Sequence, residues 1–248
     1  MWRDNLRGIF YIAMKDMRTY YLKPPSISWG TVFPIAWIMA FYLRNPQNFA
    51  ELVPGLIAMT ALFSTTAAEA VVINFELRLG TLERLLLAPI GLSAVLLGKI
   101  TGGAIFGLIM TAIVTLSSVF ILGLHPDIFL LLLILIPSLF VFSSLGALLC
   151  VLVKEVFEAQ TLLNLPRFVM IFLCGVVYPI SKMPDVLKCL AYALPLTYTV
   201  NGLRQAFQSI SQSNALFIDF FTIDFLVLVC LSVLFTLAAI KMLSKRVE

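Results

Sequence analysis

The feature that most limits this chain is a stretch with no charge in it. From residue 128 to residue 153 every side chain is apolar or small and neutral. A helix that is apolar all round must be buried on every face, and a bilayer crossing needs about 20 such residues. Five further apolar segments accompany it: 27–43 with Pro34, 52–75 with Glu69, 92–124 with Lys99 near its start, 162–180 with Arg167 near its start, and 220–243 with Asp224 near its start. Composition points the same way. The 248 residues are 61% hydrophobic and 12% charged, whereas soluble domains are roughly 45–50% apolar and about 25% charged. That charge content cannot clothe a soluble surface. It excludes a soluble enzyme, a disordered chain and a nucleic-acid-binding domain, and no nucleic-acid partner is expected.

The sequence therefore reads as an all-α polytopic membrane protein with six transmembrane helices, forming one transmembrane domain over residues 1–248. Residues 1–26 form an interface helix, 27–180 hold spans one to five, 181–222 lie outside or re-enter, and 223–248 form span six with a cytoplasmic tail. The fifth run, 162–180, is short and the least complete as a single span. Within the first segment, Trp2, Leu6, Ile9, Phe10, Ala13, Met17 and Tyr20 recur at spacings of three and four, while Arg3, Arg7, Lys15 and Arg18 lie largely off that stripe. Such a helix rests in the headgroup plane, or packs as a solvated helix on a soluble partner; the basic side suits anionic lipid. Lys23-Pro24-Pro25 ends it. No cleavable leader is expected, since the first 26 residues are charged and hold no uninterrupted apolar core.

Charge placement sets the orientation. With a cytoplasmic N-terminus and six spans, only Arg44, Lys182, Lys188 and Arg204 of the 17 Lys and Arg residues lie outside, which obeys the positive-inside rule. An even number of spans also keeps Lys241, Lys245 and Arg246 inside. The expected location is the cytoplasmic membrane, with both termini on its inner side.

No residue set for catalysis or metal binding appears. The cysteines at 150, 174, 189 and 230 have no CxxC spacing, and His125 is the only histidine. A phosphate-binding loop needs G-x-x-x-x-G-K-[ST]. The nearest approach ends in Gly98-Lys99-Ile100, with six residues back to Gly91 instead of four and Ile100 where a Mg²⁺-ligating hydroxyl belongs. No catalytic residue, metal or cofactor is expected in this chain.

The most informative loop is Glu76-Leu77-Arg78-Leu79-Gly80-Thr81-Leu82-Glu83-Arg84-Leu85-Leu86-Leu87-Ala88-Pro89. Gly80-Thr81 can open a short helix with Thr81 as N-cap. Glu83 then falls in the first turn, where the helix dipole favours a carboxylate. Leu82, Leu85 and Leu86 share one face, and Pro89 stops the helix. Anchors at i, i+3 and i+4 suit a groove on a partner, and equally a membrane surface.

This stretch resembles the first cytoplasmic loop of the ABC-2 family, the membrane subunits of type-2 ATP-binding-cassette exporters, in which a "GTLE-LL-AP" sequence follows span two. Here it reads Gly80-Thr81-Leu82-Glu83-Arg84-Leu85-Leu86-Leu87-Ala88-Pro89. Val53-Pro54-Gly55-Leu56 resembles the family's opening of span two. Pro195-Leu196-x-Tyr198, followed after five residues by Arg204, resembles its C-terminal signature. The three occur in family order along essentially the whole chain. The resemblance implies that Glu76, Arg78, Leu79, Gly80, Thr81, Leu82, Glu83, Arg84, Leu85, Leu86 and Pro89 form a short cytoplasmic coupling helix that docks on a separate ATPase subunit. That partner would bind ATP and Mg. A second permease copy completes the pathway.

Residues 181–222 carry two helical signals, one opened by Pro184 and one after Pro195. The resemblance implies a re-entrant helical hairpin before the last span. In it, Pro195, Tyr198 and Arg204 either gate the exit or hold the packing. Glu69 lies six residues from the end of its run, about 9 Å deep by helical rise. An ionisable group there pairs, with Arg167 or Lys99, or contacts a cationic substrate. Glu69 with Arg167 is the pair singled out. The function expected is the permease of an exporter for a hydrophobic or amphiphilic compound such as a drug, lipid or lipid-linked glycan. The alternative is an ion-coupled carrier, which would need more intramembrane acids than Glu69.

Overall fold

The computed structural model describes residues 2–24, 49–81, 90–153, 156–208 and 215–247, together with position 85 and scattered positions between 27 and 43. Among the described residues there are helices and connections and no strand. Helix α1 spans Trp2–Asp16 and runs into a wider π-type turn, Met17–Tyr21. The long helices follow: α2 Phe49–Arg78, α3 Leu92–Leu122 and α4 Ile128–Leu152. Then come α5 Val156–Leu173, a 3₁₀ turn Ile180–Lys182, α6 Asp185–Tyr192 and α7 Pro195–Gln208. Helix α8, Ala215–Val247, closes the chain.

Helix α2 is the centre. It packs against α3, α4, α5 and α7 and is buried along almost its whole length. Its hydroxyl residues survive that burial by bonding within the helix. Thr60 donates to the Leu56 carbonyl at 2.8 Å, Ser64 to Thr60 at 2.7 Å and Thr65 to Ala61 at 2.8 Å, so these three hydroxyls are not left bare in an apolar medium. The two largest apolar clusters around α2 lie towards its two ends. One holds Ile57, Leu62, Ile134, Phe142, Leu196 and Leu228. The other, at the opposite end, holds Ile12, Ile73, Leu96, Val151 and Leu243. The outer faces of the bundle are apolar too: Ile105, Ile109, Ile113, Leu116 and Phe120 form an exposed stripe on α3. Water would penalise such a stripe, whereas hydrocarbon accepts it.

Six spans are expected; among the described residues four helices are long and apolar enough to cross a membrane: α2, α3, α4 and residues Phe221–Arg246 of α8. The segment expected as span one, 27–43, lies largely outside the described residues. The fifth run is helical, but α5 is only 18 residues long with Pro166 inside it, and Glu158, Asn164 and Arg167 interrupt its apolar character.

The bundle has two distinct ends. At one, α1 meets the start of α3, and Arg246 of the C-terminal helix donates to the carbonyls of Val151 and Val153 at 2.9 and 2.8 Å. At the other lie α6, α7 and the connection 123–127, where the Asp127 amide donates to the Ala206 carbonyl at 2.9 Å. The termini therefore share one end, as an even number of crossings requires.

Candidate functional site

Helix α1 is more deeply engaged than a surface helix would be. It buries Ile12, Ala13, Asp16, Met17 and, after the wide turn, Tyr21, while Leu6, Phe10, Tyr11 and Met14 stay exposed. The expected apolar stripe thus divides: Ala13 and Met17 turn inward, Leu6 and Phe10 outward. The reason lies in α3. A methyl group added at Gly98 would sit 2.9 Å from the Ile12 Cβ, and one at Gly102 would sit 3.4 Å from the Ala13 Cα. Two glycines one turn apart open a groove into which α1 drops, the small-xxx-small device of membrane helix packing. Tyr21 stacks on Phe106 at 5.6 Å and fixes the far end of the contact.

That docking delivers charge to a buried place. Lys99 Nζ, in the first turns of α3, lies 2.5 Å from Glu76 Oε2 and 3.3 Å from Asp16 Oδ2. Lys15 Nζ contacts Glu76 Oε1 and lies 3.0 Å from Asp16 Oδ1. The last of these is an ion pair without hydrogen-bond alignment, since Asp16 Oδ1 has no hydrogen-bond partner among the described residues. Asp16, Glu76 and Lys99 are at most 1% exposed, and Lys15 closes the cluster from the half-exposed side. Two cations meet two anions, so the group is neutral as a whole. Burial pushes the Asp16 carboxyl up from its ordinary value, with Lys99 and Lys15 opposing it. Burial works against the Lys15 ammonium, but the hydrogen bond from it to Glu76 and the field of Asp16 hold it above its ordinary value. Charges this deep persist only as a complete set, because each alone carries a large desolvation penalty.

Glu76 is also the base of the loop 76–90, and α1 touches the other base as well. The Gly91 amide donates to Asn5 Oδ1 at 3.2 Å, and a methyl group at Gly8 would meet Ile90 Cγ2 at 3.0 Å. Helix α1 therefore spans both stems of the loop. Within it, Gly80 takes φ +64 and ends α2 in the left-handed conformation that glycine adopts without strain. Thr81, expected as an N-cap, instead donates back to the Glu76 carbonyl at 3.4 Å. Its hydroxyl serves the end of α2, where carbonyls lack partners. Arg78 and Leu79 are exposed, and Leu85 is half-buried against the cluster containing Ile12 and Leu96. Leu82, Glu83, Arg84, Leu86 and Pro89 lie outside the described residues, and with them most of the expected coupling helix.

Glu69 and Arg167 do not pair. Arg167 donates from Nε to Thr66 Oγ1 at 2.7 Å and from a terminal nitrogen to Asn164 Oδ1 at 2.9 Å, with its guanidinium 5.2 Å over the Phe63 ring. Neutral acceptors and a ring face hold this cation instead of a carboxylate. Glu69 Oε1 faces Ser143 of α4 at 2.7 Å. The alternative partner, Lys99, is taken by Asp16 and Glu76.

At the opposite end, the signature residues staple the hairpin. Pro195 opens α7, where its missing N–H costs nothing. Tyr198 donates to the Tyr192 carbonyl at 2.6 Å, tying α7 to α6, and Arg204 donates to the Gly175 carbonyl at 2.5 Å, tying α7 to the end of α5. Thr199 donates to Ser138 at 2.9 Å in the buried contact with α4. Glu69 and Arg167 are thus separated, Pro195, Tyr198 and Arg204 share one element, and Glu76 joins a cluster whose other members, Lys15, Asp16 and Lys99, sequence reading had not connected. Lys99 was the visible signal, alone in an apolar run; its partners lie 83 and 23 positions away.

Comparison with known proteins gives this architecture a family. The ABC-2 type transporter profile matches residues 7–207. The chain is 30% identical over 182 residues to the probable multidrug ABC transporter permease YbhS of Escherichia coli K12, covering 71% of this chain and 48% of that protein. The chain therefore spans about half the length of that relative. It is 27% identical over 202 residues to the inner membrane transport permease YadH of the same strain, covering 77% and 76%, and 27% identical over 213 residues to nodulation protein J of Sinorhizobium fredii, covering 83% and 79%. With its apolar helices, its hairpin and a match across residues 7–207, this chain belongs to the ABC-2 type transporter family of membrane permeases.

Proposed function

We propose that this chain is the membrane-spanning subunit of an ATP-driven exporter that moves a hydrophobic or amphiphilic compound out of the cell. Two copies enclose the pathway in the cytoplasmic membrane, with both termini inside. A separate ATPase subunit binds ATP and Mg and docks at residues 76–90. The observation that carries the reading is the grip of α1 on both stems of that loop: Lys15 and Asp16 join Lys99 around Glu76, and Asn5 meets Gly91. A push on the loop reaches Glu76 first. Because the buried charges hold only as a set, α1, α2 and α3 move together. Permease names among the relatives, one of them a probable multidrug ABC transporter permease, support the transport role and the class of compound.

The test is transport of a lipophilic cationic dye by proteoliposomes holding the chain with its ATPase subunit. Dye movement that needs ATP, stops with vanadate and ignores an uncoupler is expected. Movement stopped by the uncoupler and indifferent to ATP assigns an ion-coupled carrier instead.

A further inference from the structure

The Ser143 hydroxyl stands between two oxygens, 2.7 Å from Glu69 Oε1 and 2.8 Å from the main-chain carbonyl of Ile100. A serine hydroxyl has one proton to donate, and a carbonyl oxygen can only accept. Were Glu69 ionised, both neighbours would be acceptors. One of the two contacts would then press oxygen lone pairs together with no proton between them. A proton on Glu69 Oε1 resolves both: the acid donates to Ser143, and Ser143 donates to Ile100.

We infer that Glu69 is a neutral carboxylic acid, and that the directed chain Glu69 to Ser143 to Ile100 pins α2 to α4 and α3 within the bundle.

The surroundings agree from every side. On α3, Lys99 is bound to Glu76 and Asp16. On α5, Arg167 is bound to Thr66 and Asn164. The nearby Tyr21 hydroxyl, following α1, is buried with no partner among the described residues, and Cys150 on α4 is a buried free thiol. No lysine or arginine among the described residues makes an ion pair with Glu69. Its second oxygen, Oε2, is buried without a partner. A bare oxygen on an anion in such a place is far more costly than one on a neutral acid. The slot itself is built for this side chain. A methyl group at Gly103 would fall 2.2 Å from Glu69 Oε1, and one at Gly146 would fall 3.2 Å from the Glu69 Cβ. Both facing helices leave out a side chain where the acid lies. Glu69 is thus a positioning residue rather than a site for a cationic substrate.

The experiment is infrared spectroscopy of the purified full chain in lipid nanodiscs at neutral pH, with thermal unfolding measured on the same samples. The difference spectrum between the wild-type chain and Glu69→Gln should lose a protonated-carboxyl C=O band. An amide can donate to Ser143 as the acid does, so Glu69→Gln should unfold within about 2 °C of wild type, whereas Glu69→Ala should unfold at least about 5 °C lower. Loss of an ionised-carboxylate band in the Gln difference spectrum overturns the inference. So does a Glu69→Gln chain that unfolds with Glu69→Ala, because the directed chain then has no part in holding the three helices.

Discussion

Lys99 shows how one residue acquires meaning only from its neighbours. In the sequence it is a lone cation at the head of an apolar run. In the fold it is the only fully buried member of the cluster that carries positive charge, touching carboxylates from two other helices. Lys99→Met leaves Asp16 and Glu76 facing each other with only the half-exposed Lys15 between them. Breaking a buried pair in this way costs about 3–5 kcal/mol. Lys99→Met combined with Glu76→Gln leaves Lys15 opposite Asp16 and should regain most of that loss. Unfolding in detergent against denaturant measures both. A single variant that unfolds like wild type, or a double variant no better than the single, removes the cluster from the account. At this scale the sequence marks which residues are unusual, such as Glu69, Lys99 and Arg167. It does not say who meets whom, because the pairings depend on long-range helix contacts that no local spacing encodes. The expected Glu69–Arg167 pair failed for that reason: Thr66 and Asn164, both neutral, were nearer to Arg167.

Elements were far more legible. Apolar period and length announced α3 and α4 almost to the residue, because a helix that bonds its whole backbone internally is what hydrocarbon demands. The ends were harder. Gly80-Thr81 reads as the opening of a short helix, and Thr81 and Leu85 are helical, yet Gly80 also supplies the left-handed turn after α2 and the Thr81 hydroxyl reaches back to the Glu76 carbonyl. The docking of α1 was also hidden, because it rests on the absence of side chains at Gly98 and Gly102 rather than on any motif. Gly98→Val tests it. The added branch would overlap Ile12, at 2.9 Å from the first carbon alone, and should destabilise the chain by about 1–3 kcal/mol and expose α1 to limited proteolysis. An α1 as protected as in wild type would show that the groove is not what holds it. On the loop, Glu83→Ala and Leu86→Asp should reduce transport while leaving the chain folded and ATP hydrolysis running in the complex. Undiminished transport in both would take the docking role away from residues 76–90.

For the whole molecule, the essential arrangement is a bundle with one end built for the loop 76–90 and the other for the hairpin. α2 and α3 run the length between those ends, and on the proposed function they carry a movement received at Glu76 towards the hairpin. The sequence gives warning of this polarity through its charges, which collect at the end holding α1 and the C-terminus. The measurement that tests the central claim most directly is a reversible lock on that end. In a chain with Cys189 and Cys230 replaced by serine, Gly8→Cys and Ile90→Cys bring two Cβ atoms to 3.8 Å, near the usual separation across a disulfide. Transport of the dye by proteoliposomes containing the ATPase subunit is then compared before and after oxidation. Movement of α1 and both stems of the loop as one body predicts ATP-dependent transport in the reduced form and the same transport in the cross-linked form. Loss of transport on cross-linking with ATP hydrolysis continuing, and its return on reduction, would contradict the account.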